Sequence, residues 1–430
     1  MISEIAELYV WIWLPGEKEP VVAGRVVHDT GRYFFNYGRS YLERENAIAI
    51  FDRDLPLGAG VIEPSADHLL APSLRDALPD RWGRRVIVNE ILGQRREEID
   101  EDAFDELTFM IRSGSDRIGA LDFQESATHY VPREGDQATL AELQSFADRV
   151  EAGEPVPDGL DRVILHGSSI GGARPKALIT DERGRAPRKL IAKFSATNDT
   201  FAMVKAEFAA MRLAQRIGLD VATVEIDKVL DRDVLLVERF DRVPSGNGWT
   251  RRAMVSALTW TQENELAAHH ISYPMLAEII RARFSEPRAA LRELFGRLTL
   301  NILVGNTDDH ARNHAAFWDG RSLRLTPAYD IAPQRRGTPE ANQAMIVAGQ
   351  SRASQLVNAL AATSSFLIDT AEARSIIDRQ VEGIVDAWNT VCDEAGMTEI
   401  ERRFFTGRQI LNPYAFEGYG PVPVLPWRPT

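Results

Sequence analysis

The sequence predicts an α+β protein with a strand-rich first half and a mainly helical second half. Three observations carry this expectation. Residues 8 to 62 alternate β-branched and aromatic runs with polar turns, the pattern of half-buried strands. A second pair of short apolar runs, "ARPKALIT" and "RKLIAKFS", flanks the turn-rich "DERGRAP". Beyond Phe240 the apolar residues recur mainly at helical spacing.

In chain order, "LYVWIWL" and "PVVAGRVV" enclose the polar turn "PGEKE", and "GRYFFNYG" and "NAIAIF" continue the strand pattern. A small antiparallel sheet therefore opens the chain. In "SLRDALPDRWGRRVIVNEILGQ", Leu78, Trp82, Ile87, Ile91 and Leu92 approximate one helical face, and "FDELTFMIRSG" reads as a second helix closed by Gly114. Another helix falls between Tyr130 and Gly159, followed by "EAGEPVPDG", whose proline, glycine and acidic residues suit a linker.

After the hairpin at "ARPKALIT" comes a helix with Asn198, Asp199 and Thr200 as capping candidates. Phe201, Val204, Phe208, Met211, Ala214 and Ile217 form its apolar face, and Gly218 stops it. Strands follow around "VATVEI" and "DVLLVERF". Later, "AAFWDGRSLRL" is a hairpin with the favoured turn pair Asp319-Gly320. The tail "NPYAFEGYGPVPVLPWRP" is too rich in proline and glycine for regular structure. The expected divisions are a β-rich subdomain with helices over 1–157, a second sheet with its helix over 158–240, and a helical lobe over 241–430.

The 430 residues suffice for two or three domains. A formal net charge of -13 argues against holding nucleic acid unaided and suits basic partners. The single Cys392 can form neither an internal disulfide nor a cysteine-rich zinc site, so a reducing compartment, the cytoplasm, is expected. The opening residues lack a basic n-region, Pro15 breaks their apolar stretch, and no run approaches a membrane span. Neither export nor membrane insertion is expected.

Candidate chemistry begins at "HGSSIGGARPKALI". Small residues from Gly167 to Ala173 precede a strand and let backbone amides approach a polyanion, with Lys176 as an added charge. The stretch lacks Walker spacing, and a glycine-rich connection without a ligand is the alternative. Lys193, between Ala192 and Phe194, needs an anionic partner or must reach water. Glu207, between Val204 and Phe208 on the next helix, could be that partner; ordinary surface positions for both are the alternative.

The helix "LRELFGRLTLNILVG" delivers the loop "NTDDHARN", in which Asp308 and Asn313 are five residues apart. In phosphoryl transfer that spacing joins an aspartate that orients the attacking hydroxyl to an asparagine that binds magnesium. Asp330, in "RLTPAYDIAP", is placed to be the second metal-binding residue. Zinc is the competing chemistry, since His310 and His314 are four apart. The zinc-hydrolase motif needs glutamate where Ala311 stands, and Gly305 and Asn306 oppose a continuous helix. Glycine-rich loop, strand lysine, helix glutamate, Asp-to-Asn pair and strand-end aspartate arrive in the order found in kinases.

"SSIGGARPKA", "LIAKFS", "LVERFDR", "GNTDDHARN" and "LTPAYDIAP" resemble, in order, the motifs of the HipA-type serine/threonine kinases, toxins of bacterial toxin–antitoxin pairs. "VAGRVVHDTGRYFFNYG", "LRDALPDRWGRRVI" and "SGSDRIGALDF" resemble that family's N-terminal region, so the likeness covers nearly the whole chain. It implies a bilobal, protein-kinase-like α+β fold that uses ATP and magnesium, with 158–240 as the ATP-binding part of the N-lobe. It implies Asp308 as the catalytic aspartate, Asn313 and Asp330 as magnesium ligands, Lys193 on the ATP phosphates, and Glu238 and Phe240 at the adenine hinge. Ser169, Gly171, Gly172, Ala173 and Lys176 would border the nucleotide, with Glu207 as the lysine's partner by kinase logic.

The resemblance further implies inhibitory autophosphorylation of Ser169 or the adjacent Ser168. It implies a HipB-like helix-turn-helix antitoxin that supplies the DNA contact, and a protein substrate among the aminoacyl-tRNA synthetases. His310 is expected to pack under the loop and hold Asp308, while Asp309, Arg312 and His314 shape or solvate it. A non-catalytic co-repressor and a small-molecule kinase are the other readings.

Overall fold

Leu8, Val10 and Ile12, two residues apart, are fully buried along β1 (Glu7–Ile12), as a strand with one face on a core requires. The computed structural model describes residues 5–92, 104–134, 138–152, 154, 174–184, 186–196, 199–246 and 248–425. In it β1 lies inside an antiparallel sheet with β2 (Val21–Asp29), β3 (Arg32–Tyr37) and β4 (Leu121–Gln124), in the order β3-β2-β1-β4.

The expected strand "NAIAIF" does not join this sheet. Its backbone groups are taken by side chains instead: Ile50 N donates to the Tyr37 hydroxyl (2.9 Å), the Tyr41 hydroxyl donates to Ile48 O (2.8 Å), and Trp318 Nε1 donates to Ala49 O (2.9 Å). Buried backbone thus finds partners without a ladder. Pro79 separates the expected long helix into Pro72–Arg75 and Arg81–Leu92. The helix Glu106–Arg112 is capped by Asp105, which accepts from Thr108 N (2.8 Å), and it ends at Ser113, one residue before the expected glycine stop.

The hairpin of β5 (Lys176–Asp181) and β6 (Arg188–Phe194) forms as expected. With β7 (Val224–Val229) and β8 (Arg232–Glu238) the order is β5-β6-β8-β7. Leu190, Ala192 and Phe194 face a core shared with Val234, Leu236 and Leu143 of the helix Leu140–Ala152. Past Phe240, where helix was expected, a further hairpin appears, β9 (Arg242–Ser245) with β10 (Gly248–Arg251). Its strands are four residues each and mostly half-buried, too short to show a period.

Packing divides the chain into two compact units: Met1–Asn198 with Asp227–Val255 and Phe317–Arg321, and Asp199–Ile226 with Ser256–Ala316 and Ser322–Thr430. These units do not follow the expected divisions. The helix Met203–Arg216 belongs to the second because it packs along Thr370–Glu394: Arg212 Nε donates to Glu394 (3.0 Å), and a Cβ on Gly383 would meet Ile217 at 2.7 Å. That helix starts without a side-chain cap at Ala202, although Gly218 (φ +86) stops it as expected. Of the expected caps, Asn198 lies outside the described residues. The strands Ala315–Trp318 and Leu323–Leu325 flank Asp319-Gly320, and the tail contains one helical turn, Pro413–Phe416. Among the described residues no helix is long and apolar enough to cross a membrane.

Asp54, in the first unit, accepts from Ser73 N at 2.6 Å through Oδ2, while Oδ1 has no hydrogen-bond partner. Enclosure of the carboxyl pushes its pKa up to about 7, outweighing the Ser73 bonds. The folded protein therefore keeps a proton that the unfolded chain releases near its ordinary pKa of 3.8. Stability from this group is present at low pH and is lost as pH rises through about 7. Asp54→Asn should raise the melting temperature relative to the parent more at pH 8 than at pH 5, which thermal melts at the two pH values will check.

Candidate active site

The helix Pro287–Val304 starts on a proline in its first turn and is buried around most of its circumference from Leu294 onward, the mark of a helix inside a core. It ends at Gly305, in the left-handed region (φ +70), where a Cβ would meet the backbone oxygen of Gln409 at 2.8 Å. Leu411 N donates to Leu303 O (2.8 Å) and Asn306 N to Asn301 O (2.9 Å). Both sides of the exit are fixed before the polar loop begins.

Within the loop His310 N donates to Asp308 O (2.9 Å), Asn313 N to His310 O (2.8 Å), and Asn313 Nδ2 to Asp308 O (3.2 Å). Asp308 and Asn313 are thereby tied across a single 3-10 turn, Ala311–Asn313. Asp308 is exposed and Asn313 buried. The Asp308 pKa is raised, first by burial around its carboxyl and then by repulsion from Asp330 and Asp309, against the attraction of His310.

Asp330 adopts φ +59, a conformation aspartate tolerates better than most residues and one that gathers at functional sites. The chain before it is held by Ala222 N to Ala328 O (2.9 Å), Ala328 N to Asp220 O (2.8 Å) and Arg297 Nη2 to Thr326 O (2.8 Å). The carboxylates of Asp308 and Asp330 are close enough to repel each other, a repulsion that a divalent cation would relieve. Among the described residues no group of three or more His, Cys, Asp or Glu is arranged to hold a metal; magnesium shared with nucleotide phosphates needs only one or two carboxylates. His310 and His314 do not share a helical face, because only residues 311–313 are helical.

Of the residues expected to shape or solvate the loop, two are enclosed. Asp309 and His314 are buried at 2% and 1% exposure and do not solvate the loop. The Tyr273 hydroxyl donates to Asp309 Oδ2, and His314 Nε2 lies 3.0 Å from Asp309 Oδ1. Burial raises the Asp309 pKa, but His314 and these contacts outweigh it and leave it lowered; burial, then Asp309, raise that of Tyr273 well above its ordinary value. His310 is half-buried beside Asp308, while Arg312 pairs with Glu265 and its carbonyl accepts from the Tyr329 hydroxyl (2.7 Å). Tyr273, 36 positions upstream of Asp309, gave no sign of its role in the sequence.

In the first unit Lys193 is half-buried, and register places it directly between Lys176 and Leu235 on one face of the sheet. Lys176 is buried with Nζ 3.4 Å from Asp80, so its charge is matched within the N-terminal region. Glu238 ends β8, and Phe240 packs edge-on to Phe317 (5.9 Å). Sequence reasoning missed the buried charges that follow: Arg239 donates to Asp116 (3.0 Å) and Asp241 (2.8 Å), Arg242 donates to both (3.0 and 2.9 Å), and Gly119 N donates to Asp241 (2.8 Å). Burial raises the Asp116 pKa, but Arg239 and Arg242 hold it well below the carboxylate range. In the second unit Glu207 is buried on its helix. Ser168, Ser169, Gly171, Gly172 and Ala173 lie outside the described residues.

Residues 168–388 match the model of the HipA-like C-terminal domain, and residues 12–124 match that of the HipA N-terminal domain. The chain belongs to the HipA family of kinases. It is 26% identical over 343 residues to the Sinorhizobium fredii protein Y4mE, which bears the name of a kinase; the match covers 74% of this chain and 76% of that protein. It is 30% identical over 142 residues to the serine/threonine-protein kinase toxin HipA of Shewanella oneidensis, 29% of this chain and 33% of that one. The solved structure of Shewanella oneidensis HipA, in a complex with HipB and operator DNA, aligns with a TM-score of 0.69 at 20% identity, over 93% of this chain and 94% of that one. That likeness shows the expected α+β, kinase-like fold.

In this HipA-family kinase, then, Asp308, Asn313 and Asp330 lie in one compact unit, and the loop of the first two starts from a glycine that no other residue replaces without strain. Gly305→Ala should cost about 1–3 kcal/mol through its left-handed backbone and the clash with Gln409, measured as a lowered urea midpoint at unchanged slope.

Proposed function

We propose that this HipA-family kinase transfers the γ-phosphate of magnesium-bound ATP to serine or threonine of a protein. The observation that carries the reading is the loop in which Asn313 is bonded to Asp308, with Asp330 near enough to raise the Asp308 pKa. Asp308 would accept the proton of the acceptor hydroxyl and orient its oxygen, a role that a raised pKa favours. Asn313 and Asp330 would hold magnesium, which offsets the charge of the triphosphate when bound.

Lys193 would contact the phosphates with Glu207 as its ion-pair partner, and Glu238 and Phe240 would hold adenine. Ser169, Gly171, Gly172 and Ala173 would border the nucleotide. Lys176, engaged by Asp80, would chiefly fix the strand that follows them. The 158–240 and 241–430 segments would divide nucleotide binding and catalysis between them.

Autophosphorylation at Ser169, or at Ser168, would inhibit by placing about two negative charges against the triphosphate. The complex of the Shewanella oneidensis relative with HipB and operator DNA, together with a net charge of -13, supports a HipB-like antitoxin that carries the DNA contact. An aminoacyl-tRNA synthetase as substrate and a cytoplasmic setting rest on the family resemblance and the lone cysteine. Intact Lys193, Asp308, Asn313 and Asp330 weigh against a non-catalytic co-repressor.

The test is labelled ATP and magnesium in a host lysate, parent against Asp308→Ala. The parent should label serine or threonine on a discrete protein, and the variant should label it at least about 100-fold more slowly. Equal labelling by the two proteins, or label found only on small molecules, would overturn the reading.

A further inference from the structure

Asp308 and Asp309 are adjacent, yet one is exposed and the other 2% exposed. Their side chains therefore leave the peptide between them in different environments. Burying a carboxylate is costly, and an apolar side chain of similar size often packs as well or better. Retaining the charge here is explained by what it fixes. Its two anchors come from separate elements. Tyr273 opens the helix Tyr273–Arg283, where its N–H donates to Ile346 O (2.9 Å). His314 leads into the strand Ala315–Trp318, and its carbonyl accepts from Ala257 N (2.7 Å). The two rings meet edge to face at 5.7 Å, which leaves the Asp309 carboxylate little room to turn.

The remaining hydrogen bonds that link Asp308 to the rest of the loop are local, reaching only to His310 and Asn313. They set the shape of the turn, while its flanks are attached at Thr307 O, which accepts from Ala344 N (3.0 Å), and at Arg312 O, which accepts from the Tyr329 hydroxyl (2.7 Å). We propose that Asp309 is a positioning residue: held by the Tyr273 hydroxyl and the His314 imidazole, its carboxylate anchors the middle of the loop so that Asp308 and Asn313 keep their working geometry. The inference rests on the phosphoryl-transfer reading of Asp308 given above.

The test measures ADP formation from magnesium-ATP and hydrogen exchange across residues 306–314, per folded protein, in the parent and its variants. Asp309→Ala should lower kcat about 10- to 100-fold, the scale of a misplaced reacting group, with KM for ATP changed less than about threefold. Exchange should quicken at 306–314 and stay unchanged in the helix Pro287–Val304. Asp309→Asn, which keeps an oxygen for the Tyr273 hydroxyl, should recover part of kcat. Tyr273→Phe, which keeps the ring against His314, should lose kcat in the same direction by several-fold.

Parental kcat in folded Asp309→Ala, or unchanged exchange at 306–314, would overturn the proposal. If that variant does not fold, parental kcat in both Asp309→Asn and Tyr273→Phe would overturn it equally. Asp308→Ala separates the two levels: parental turnover there refutes the catalytic reading, while exchange in the Asp309 variants still reports whether the anchor holds the loop.

Discussion

At Gly305 the chain leaves a buried helix, turns through a left-handed conformation, and passes the backbone of Gln409 too closely for any side chain. That passage sets where Asp308 falls. A helix enclosed by other helices cannot shift without opening its core, so the loop inherits a fixed origin. The segment ahead of Asp330 is fixed to the same body by Arg297, which rises from that helix and donates to Thr326 O. Asp308 and Asp330, on either side of the hairpin Ala315–Leu325, are thus held close enough to repel each other.

A different device serves the first unit. Arg239 and Arg242, one on each side of Asp241, turn inward and share the buried Asp241 and the partly exposed Asp116. Such buried pairs add little net stability, and their loss on one side is costly. Their effect is to lock residues 116–119 of the N-terminal region to the segment that follows Glu238. The N-terminal region is therefore built into the sheet that carries Lys193 through this cluster, the Asp80 contact with Lys176, the Lys189 ammonium 3.2 Å from Asp116, and Arg232 on Asp148.

Much of this was legible in the sequence. Strands with strong alternation, such as "RYFFNY", and the hairpin before Lys193 announced themselves, as did the glycine that ends the helix before Asp308. The misses have physical causes. "NAIAIF" has a strand's composition, but the hydroxyls of Tyr37 and Tyr41 and the indole of Trp318 take its backbone groups. The hairpin after Phe240 is too short to show a period. In the loop, Asp308 and Asn313 were singled out because their spacing has a chemical meaning. The burial of Asp309 and His314 was not legible because it depends on Tyr273, a residue that no local pattern connects to them.

In the proposed function, the loop and Asp330 would form one oxygen-rich site for the divalent ion that accompanies ATP. It is tested most directly with manganese as a spectroscopic stand-in for magnesium, following free ion by electron paramagnetic resonance as protein is added in the presence of ATP. The parent should retain manganese with ATP, and Asp330→Asn should retain it at least about tenfold more weakly, as expected when a direct ligand is weakened. Equal retention by parent and variant would contradict the account.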